Sequence, residues 1–90
     1  MTVKVNIHPM LRFHTGGHEA VEVTGTTVGE CLDNLFLEYP ELKTDLLEEN
    51  NGLKRHFEIF VNAETAYPEE LHMPVRDADE IHIIMMVAGG

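Results

Sequence analysis

Ninety residues are enough for one domain, and 43% apolar with 24% charged residues is a globular composition with no low-complexity run. Six Lys and Arg stand against 16 Asp and Glu, a formal charge of −10, which argues against binding a phosphate backbone and favours partners with a basic docking face. A single cysteine excludes an intramolecular disulfide, and no stretch approaches the roughly eighteen apolar residues of a membrane span.

The opening Met-Thr-Val-Lys-Val lacks the layout of a signal peptide. The expectation is a soluble, cytoplasmic protein, monomeric on its own, touching neither nucleic acid nor membrane. Val3, Val5, Ile7, Leu11 and Phe13 are apolar at alternate positions, which predicts a half-buried strand with a bulge or edge position at Pro9. His14-Thr15-Gly16-Gly17-His18 supplies a turn, with a Gly pair for positive φ. Ala20 to Thr24 resumes the alternation, so the first two strands form a hairpin.

Thr27 with Glu30 three residues on is a capping box. Val28, Cys31, Leu32, Leu35, Phe36 and Tyr39 follow at helical spacing, and Pro40 stops or bends that helix. Glu41 to Glu49 reads as a second short helical piece, and Asn50-Asn51-Gly52 as a turn. His56 to Asn62 alternates again with Phe57, Ile59 and Val61 on one face. Thr65 to Val75 is broken by Pro68 and Pro74, with a short edge strand expected near Leu71 to Val75. Asp77-Ala78-Asp79-Glu80 is the turn before a final strand.

In that last strand Ile81, Ile83, Met85 and Val87 point one way, and Ile84, Met86 and Ala88 the other. Apolar residues on both faces place the strand inside a sheet. It should lie between the first strand and the strand of Phe57 to Val61. One amphipathic helix covering one sheet is a two-layer α+β domain. The order predicts a β-grasp, the architecture of ubiquitin: a mixed sheet of four to five strands with one main helix across it. Residues 1–90 form this single domain, with 87–90 a flexible tail.

The chain resembles the ubiquitin-like sulfur carriers, the family of ThiS and MoaD. The residues that carry the resemblance are Val87-Ala88-Gly89-Gly90, the Asp79-Glu80 pair ahead of the last strand, and Val61-Asn62. Leu11-Arg12-Phe13-His14-Thr15-Gly16-Gly17 is most similar to the CysO branch, whereas Met85-Met86 stands where many members carry proline. Two terminal glycines arise by chance in roughly 0.5% of chains, so the tail alone defines no family.

The resemblance implies a carrier with no catalytic residue and no bound cofactor of its own. A ubiquitin-activating-type enzyme adenylates the Gly90 carboxylate with ATP, and a sulfur donor displaces AMP to leave a thiocarboxylate. Gly90 and Gly89 are then the modified end, and Ala88, Val87, Met86, Ile84 and Phe60 the tail and surface that partners grip. For a CysO-like carrier the implied partners are the activating enzyme, a PLP-dependent sulfhydrylase that builds cysteine on Gly90, and a metalloprotease that releases it. A thiamin-thiazole carrier, the small subunit of molybdopterin synthase and a ubiquitin-like modifier use the same ending.

From the residues themselves, Phe60, Ile84 and Met86 are apolar where alternation predicts polar. They form a docking patch unless Thr65 to Val75 covers them. Cys31 lies on the apolar stripe of the helix and reads as a small core hydrophobe. The six histidines show no metal-ligand spacing. Gly16-Gly17 opens no helix and is no phosphate loop.

Overall fold

The computed structural model describes residues 2–85. Its elements are β1 (Thr2–Asn6), a 3-10 helix (Pro9–Thr15), β2 (Ala20–Thr24), α1 (Val28–Glu38), α2 (Pro40–Leu46), β3 (Phe57–Val61), β4 (Glu64–Thr65), a 3-10 turn (Glu70–His72) and β5 (Glu80–Met85). The five strands form one sheet in the order β2-β1-β5-β3-β4. β5 is central, parallel to β1 with Asn6 opposite His82, and antiparallel to β3 with Ile59 opposite Ile83. The remaining pairs are antiparallel. This is the expected mixed β-grasp sheet.

Alternation decides which side is buried. Val3, Val5, Ile59, Ile81 and Ile83 face inward, and Val28, Cys31, Leu32, Leu35 and Phe36 of α1 cover them. Full burial of each such side chain contributes about 1.5–3 kcal/mol. The Thr27 hydroxyl accepts from the Glu30 amide at 3.1 Å, as the capping box requires. The return bond differs by one residue, since Glu30 Oε1 accepts from the Thr26 amide rather than that of Thr27. Pro40 ends the first helix and begins the second.

Two local expectations fail. Beyond Asn6 the chain leaves the sheet for a 3-10 helix, so Leu11 and Phe13 are not strand residues. Pro9 pre-sets φ at the first helical position, and His8 Nδ1 accepts from the Met10 amide, a cap that alternation of apolar residues does not reveal. Leu11 is buried, Phe13 is 73% exposed, and Gly16 closes the helix at φ 64°. The edge strand is Glu64–Thr65, not Leu71–Val75. As expected for Ile84, which is 38% exposed, the second face of β5 is not packed against the helices, which form one covering layer.

Leu71 to Val75 instead packs on the helix layer. The Val28 amide donates to the Met73 carbonyl at 2.9 Å, and the Val75 amide to the Thr26 carbonyl at 3.0 Å. Gly29 permits the approach, for a Cβ there would lie 2.8 Å from the Leu71 carbonyl oxygen.

Candidate functional site

The site implied by the sequence starts where β5 ends. Gly90, Gly89, Ala88, Val87 and Met86 lie outside the described residues. The structure fixes the point from which they depart, Met85, opposite Phe57 on β3. Because β1 and β5 run parallel with Asn6 level with His82, their C-terminal ends lie at the same edge of the domain. The first 3-10 helix begins at Pro9, three residues beyond Asn6, and so follows β1 at this edge.

The start of β5 is held by the residues that stood out in the sequence. Asn62 takes φ 56°, a left-handed conformation Asn tolerates. Its amide donates to the Glu80 carbonyl at 2.7 Å. Its side chain accepts from the Glu80 amide at 3.0 Å and donates to Asp79 at 3.1 Å. Asp79 also accepts from the Arg76 amide at 2.8 Å. That backbone hydrogen bond, reinforced by Asn62, holds the Asp79 carboxyl below its usual range. Asn62, Asp79 and Glu80 thus join β3 to β5 at the end of the sheet away from Met85.

On the uncovered sheet face, neighbouring strands align Ala20, Asn6, His82, Phe60 and Thr65 in one row, with Ile84 beside Glu58 in the next. Phe60 and Ile84 therefore share this face, as expected. Phe60 is half-buried and Ile84 exposed. Within the stretch Thr65 to Val75, the candidate to cover it, Leu71 to Val75 packs on the helix layer instead. The strand register also adds His82 to the patch, which sequence alternation could have included and did not.

Cys31 is fully buried, and burial pushes its thiol pKa up, reinforced by the nearby Glu30 charge. Both effects keep it a thiol rather than a nucleophilic thiolate. Among the described residues no group of three His, Cys, Asp or Glu side chains is placed to hold a metal ion, and no helix is long and apolar enough to cross a membrane.

Sequence reasoning missed the role of His14. Its Nδ1 lies 3.1 Å from Glu41 and its Nε2 2.6 Å from Asp45, both on α2. A neutral imidazole has one N–H to donate, so both contacts together call for the imidazolium. Burial opposes the charge, but the hydrogen bonds to Asp45 and Glu41 outweigh it and raise the His14 pKa above 6.5. This ties the first 3-10 helix to the helix layer. The partners lie 27 and 31 residues away, and no local spacing signals them.

Comparison with known proteins follows this geometry. The ThiS family model matches residues 4–90. The sulfur carrier protein CysO of Mycobacterium tuberculosis is 33% identical over 93 residues, covering 100% of both chains. A chain in the crystal structure of the Amycolatopsis orientalis BexX/CysO complex superposes with a TM-score of 0.88 at 37% identity, covering 98% of this chain and 99% of that one. The small archaeal modifier protein 1 of Methanosarcina acetivorans gives a TM-score of 0.84 at 29% identity, covering 99% and 96%.

Proposed function

This chain belongs to the ThiS family and is a sulfur carrier, and we propose that it holds its cargo as a thiocarboxylate on Gly90 and delivers it for cysteine synthesis. The observation that carries this reading is the end-to-end match to a sulfur carrier, with the family match running through residue 90.

The chemistry follows from the group itself. A terminal carboxylate is ionised at neutral pH, with a pKa of about 3.5, and is a poor electrophile. Adenylation by a partner enzyme forms an acyl–AMP bond and releases pyrophosphate from ATP. Sulfide, or the sulfur of a persulfide, then attacks the acyl carbon and AMP departs. Where a persulfide is the donor, a thiol must reduce the resulting disulfide to free the thiocarboxylate. Anchoring sulfur to a folded body makes its delivery effectively intramolecular. The five residues after Met85 reach at most about 18 Å when extended. That suffices to enter a partner's cleft while the body docks outside.

The body needs to be rigid and recognisable rather than reactive. Phe60 and Ile84 on the uncovered face are the docking surface in this reading, with Met86, Val87 and Ala88 as the gripped tail. A PLP-dependent sulfhydrylase is the acceptor enzyme, and a metalloprotease releases the product. The BexX/CysO complex is a precedent for a carrier of this kind bound to a protein partner.

The test is intact mass spectrometry after incubation with a ThiS-family activating enzyme, ATP and sulfide. The expected product gains the mass difference of one oxygen exchanged for sulfur, and a chain lacking Gly90 does not. Loading of the truncated chain refutes the proposal. The likeness to a small archaeal modifier protein favours one second reading, in which Gly90 forms isopeptide bonds with lysines. Diglycine remnants on lysines of cellular proteins, lost when Gly90 is deleted, would establish it.

A further inference from the structure

We infer that Met10 and Phe13 form a second docking element, which seats in an apolar pocket beside the tail-binding cleft of the enzyme that activates Gly90. The inference rests on the carrier reading above and adds a contact separate from the sheet face.

Met10 and Phe13 are 64% and 73% exposed. They are three residues apart in a 3-10 helix, where i and i+3 are eclipsed, so both project from one edge. The next position along that edge is Gly16, which has no side chain to flank Phe13. Exposure here is not looseness. Leu11 is buried beneath the helix, and Thr15 is fully buried with its hydroxyl 3.0 Å from the Arg12 carbonyl and 2.9 Å from that of His18. Arg12 Nε donates to the Ile7 carbonyl at 3.0 Å. His14 is held by Glu41 and Asp45, and the Phe13 ring rests on it with centroids 4.0 Å apart. A backbone fixed from several sides, with the Phe13 ring resting on His14, needs little further ordering when bound.

Two further observations select the occupant. The 3-10 helix begins three residues after Asn6, which is level with His82, so the pair follows β1 at the sheet end where β5 also finishes. An enzyme that surrounds the tail must come close to it. Charge also sets this element apart. No Asp or Glu occurs before Glu19 in a chain of formal charge −10. The segment 8–18 instead carries Arg12 and three histidines, of which His14 is already paired with Glu41 and Asp45 of α2. The fitting partner surface is therefore an apolar pocket whose rim offers a carboxylate or carbonyls to Arg12, unlike the basic face that suits the acidic remainder.

The experiment measures steady-state loading by the same activating enzyme, ATP and sulfide, using the full chain and its Met10→Ser/Phe13→Ser variant. Both side chains face solvent, and circular dichroism verifies the fold. The expected result is a KM for the carrier raised at least about tenfold with kcat little changed, the signature of lost binding by a buried aromatic anchor. A photo-reactive benzoylphenylalanine at position 13 should also cross-link to the enzyme. An unchanged KM, or no cross-link during turnover, overturns the inference while leaving the carrier function standing. A cross-link joining two carrier chains assigns the pair to self-association and overturns it as well. Failure of the unaltered chain to load refutes the carrier reading itself.

Discussion

Replacing Asn62 separates a structural explanation of a family-like motif from a chemical one. In Asn62→Ala the Glu80 amide loses its side-chain acceptor, worth about 1 kcal/mol. Alanine must also hold φ 56°, at a cost of about 1–2 kcal/mol. The contact with Asp79 is solvent-exposed and adds little. The sum is about 2–3 kcal/mol, or a Tm lowered by roughly 10–20 °C for a domain of this size. Asn62→Gly loses the same hydrogen bonds but enters the left-handed region freely, so it should lie about 1 kcal/mol above the alanine variant. Urea and thermal denaturation followed by circular dichroism measure both. Sulfur loading of whatever remains folded should match the unaltered chain, since Asn62 lies at the end of the sheet away from Met85. Equal destabilisation by Ala and Gly would refute the backbone argument. Full stability with lost loading would show that Asn62 serves the partner instead.

Other outcomes follow from single contacts. Gly29→Ala places a Cβ 2.8 Å from the Leu71 carbonyl oxygen, a backbone atom that cannot swing aside. It should destabilise by about 1–3 kcal/mol despite alanine's better helix propensity, as equilibrium unfolding will show. Cys31→Ala should cost about 1 kcal/mol and leave loading intact by mass spectrometry, since the buried thiol only packs. Folding raises the His14 pKa above 6.5, so the folded state holds this proton more tightly than the unfolded chain. The stabilisation is complete below about pH 6.5 and is lost as the pH climbs through the raised value. His14→Gln should flatten that slope in urea midpoints measured from pH 5.5 to 8.5, a span of about three units around the unperturbed value.

Much of this protein was legible in one dimension because its signals are local. Alternation located β2 and β3, and helical periodicity with a capping box located α1. The apolar run ending in Ile83-Ile84-Met85 marked a central strand, and the strand order then restricted the sheet to very few arrangements. The terminal Gly-Gly with Asp79-Glu80 pointed to the family before any contact was known. The same logic failed between Pro9 and Thr15, where apolar residues at every second position mimic a strand. A proline start, a His8 cap and burial of Leu11 and Thr15 favour a 3-10 helix instead. It also misplaced the edge strand, because Glu64–Thr65 is too short to show a period.

The sequence by itself determined the architecture and the identity of the central strand, and its resemblance to the sulfur carriers pointed to the family. These depend on patterns within a few residues of one another and on side-chain types. Only the tertiary structure decided that one face of β5 is left uncovered, that Asn62 and Asp79 are a structural brace, and that His14 bridges to α2. It alone set the helix of Met10 and Phe13 at the edge where β1 and β5 end. Each depends on residues brought together across the chain by strand register and helix packing, and no local spacing encodes that proximity.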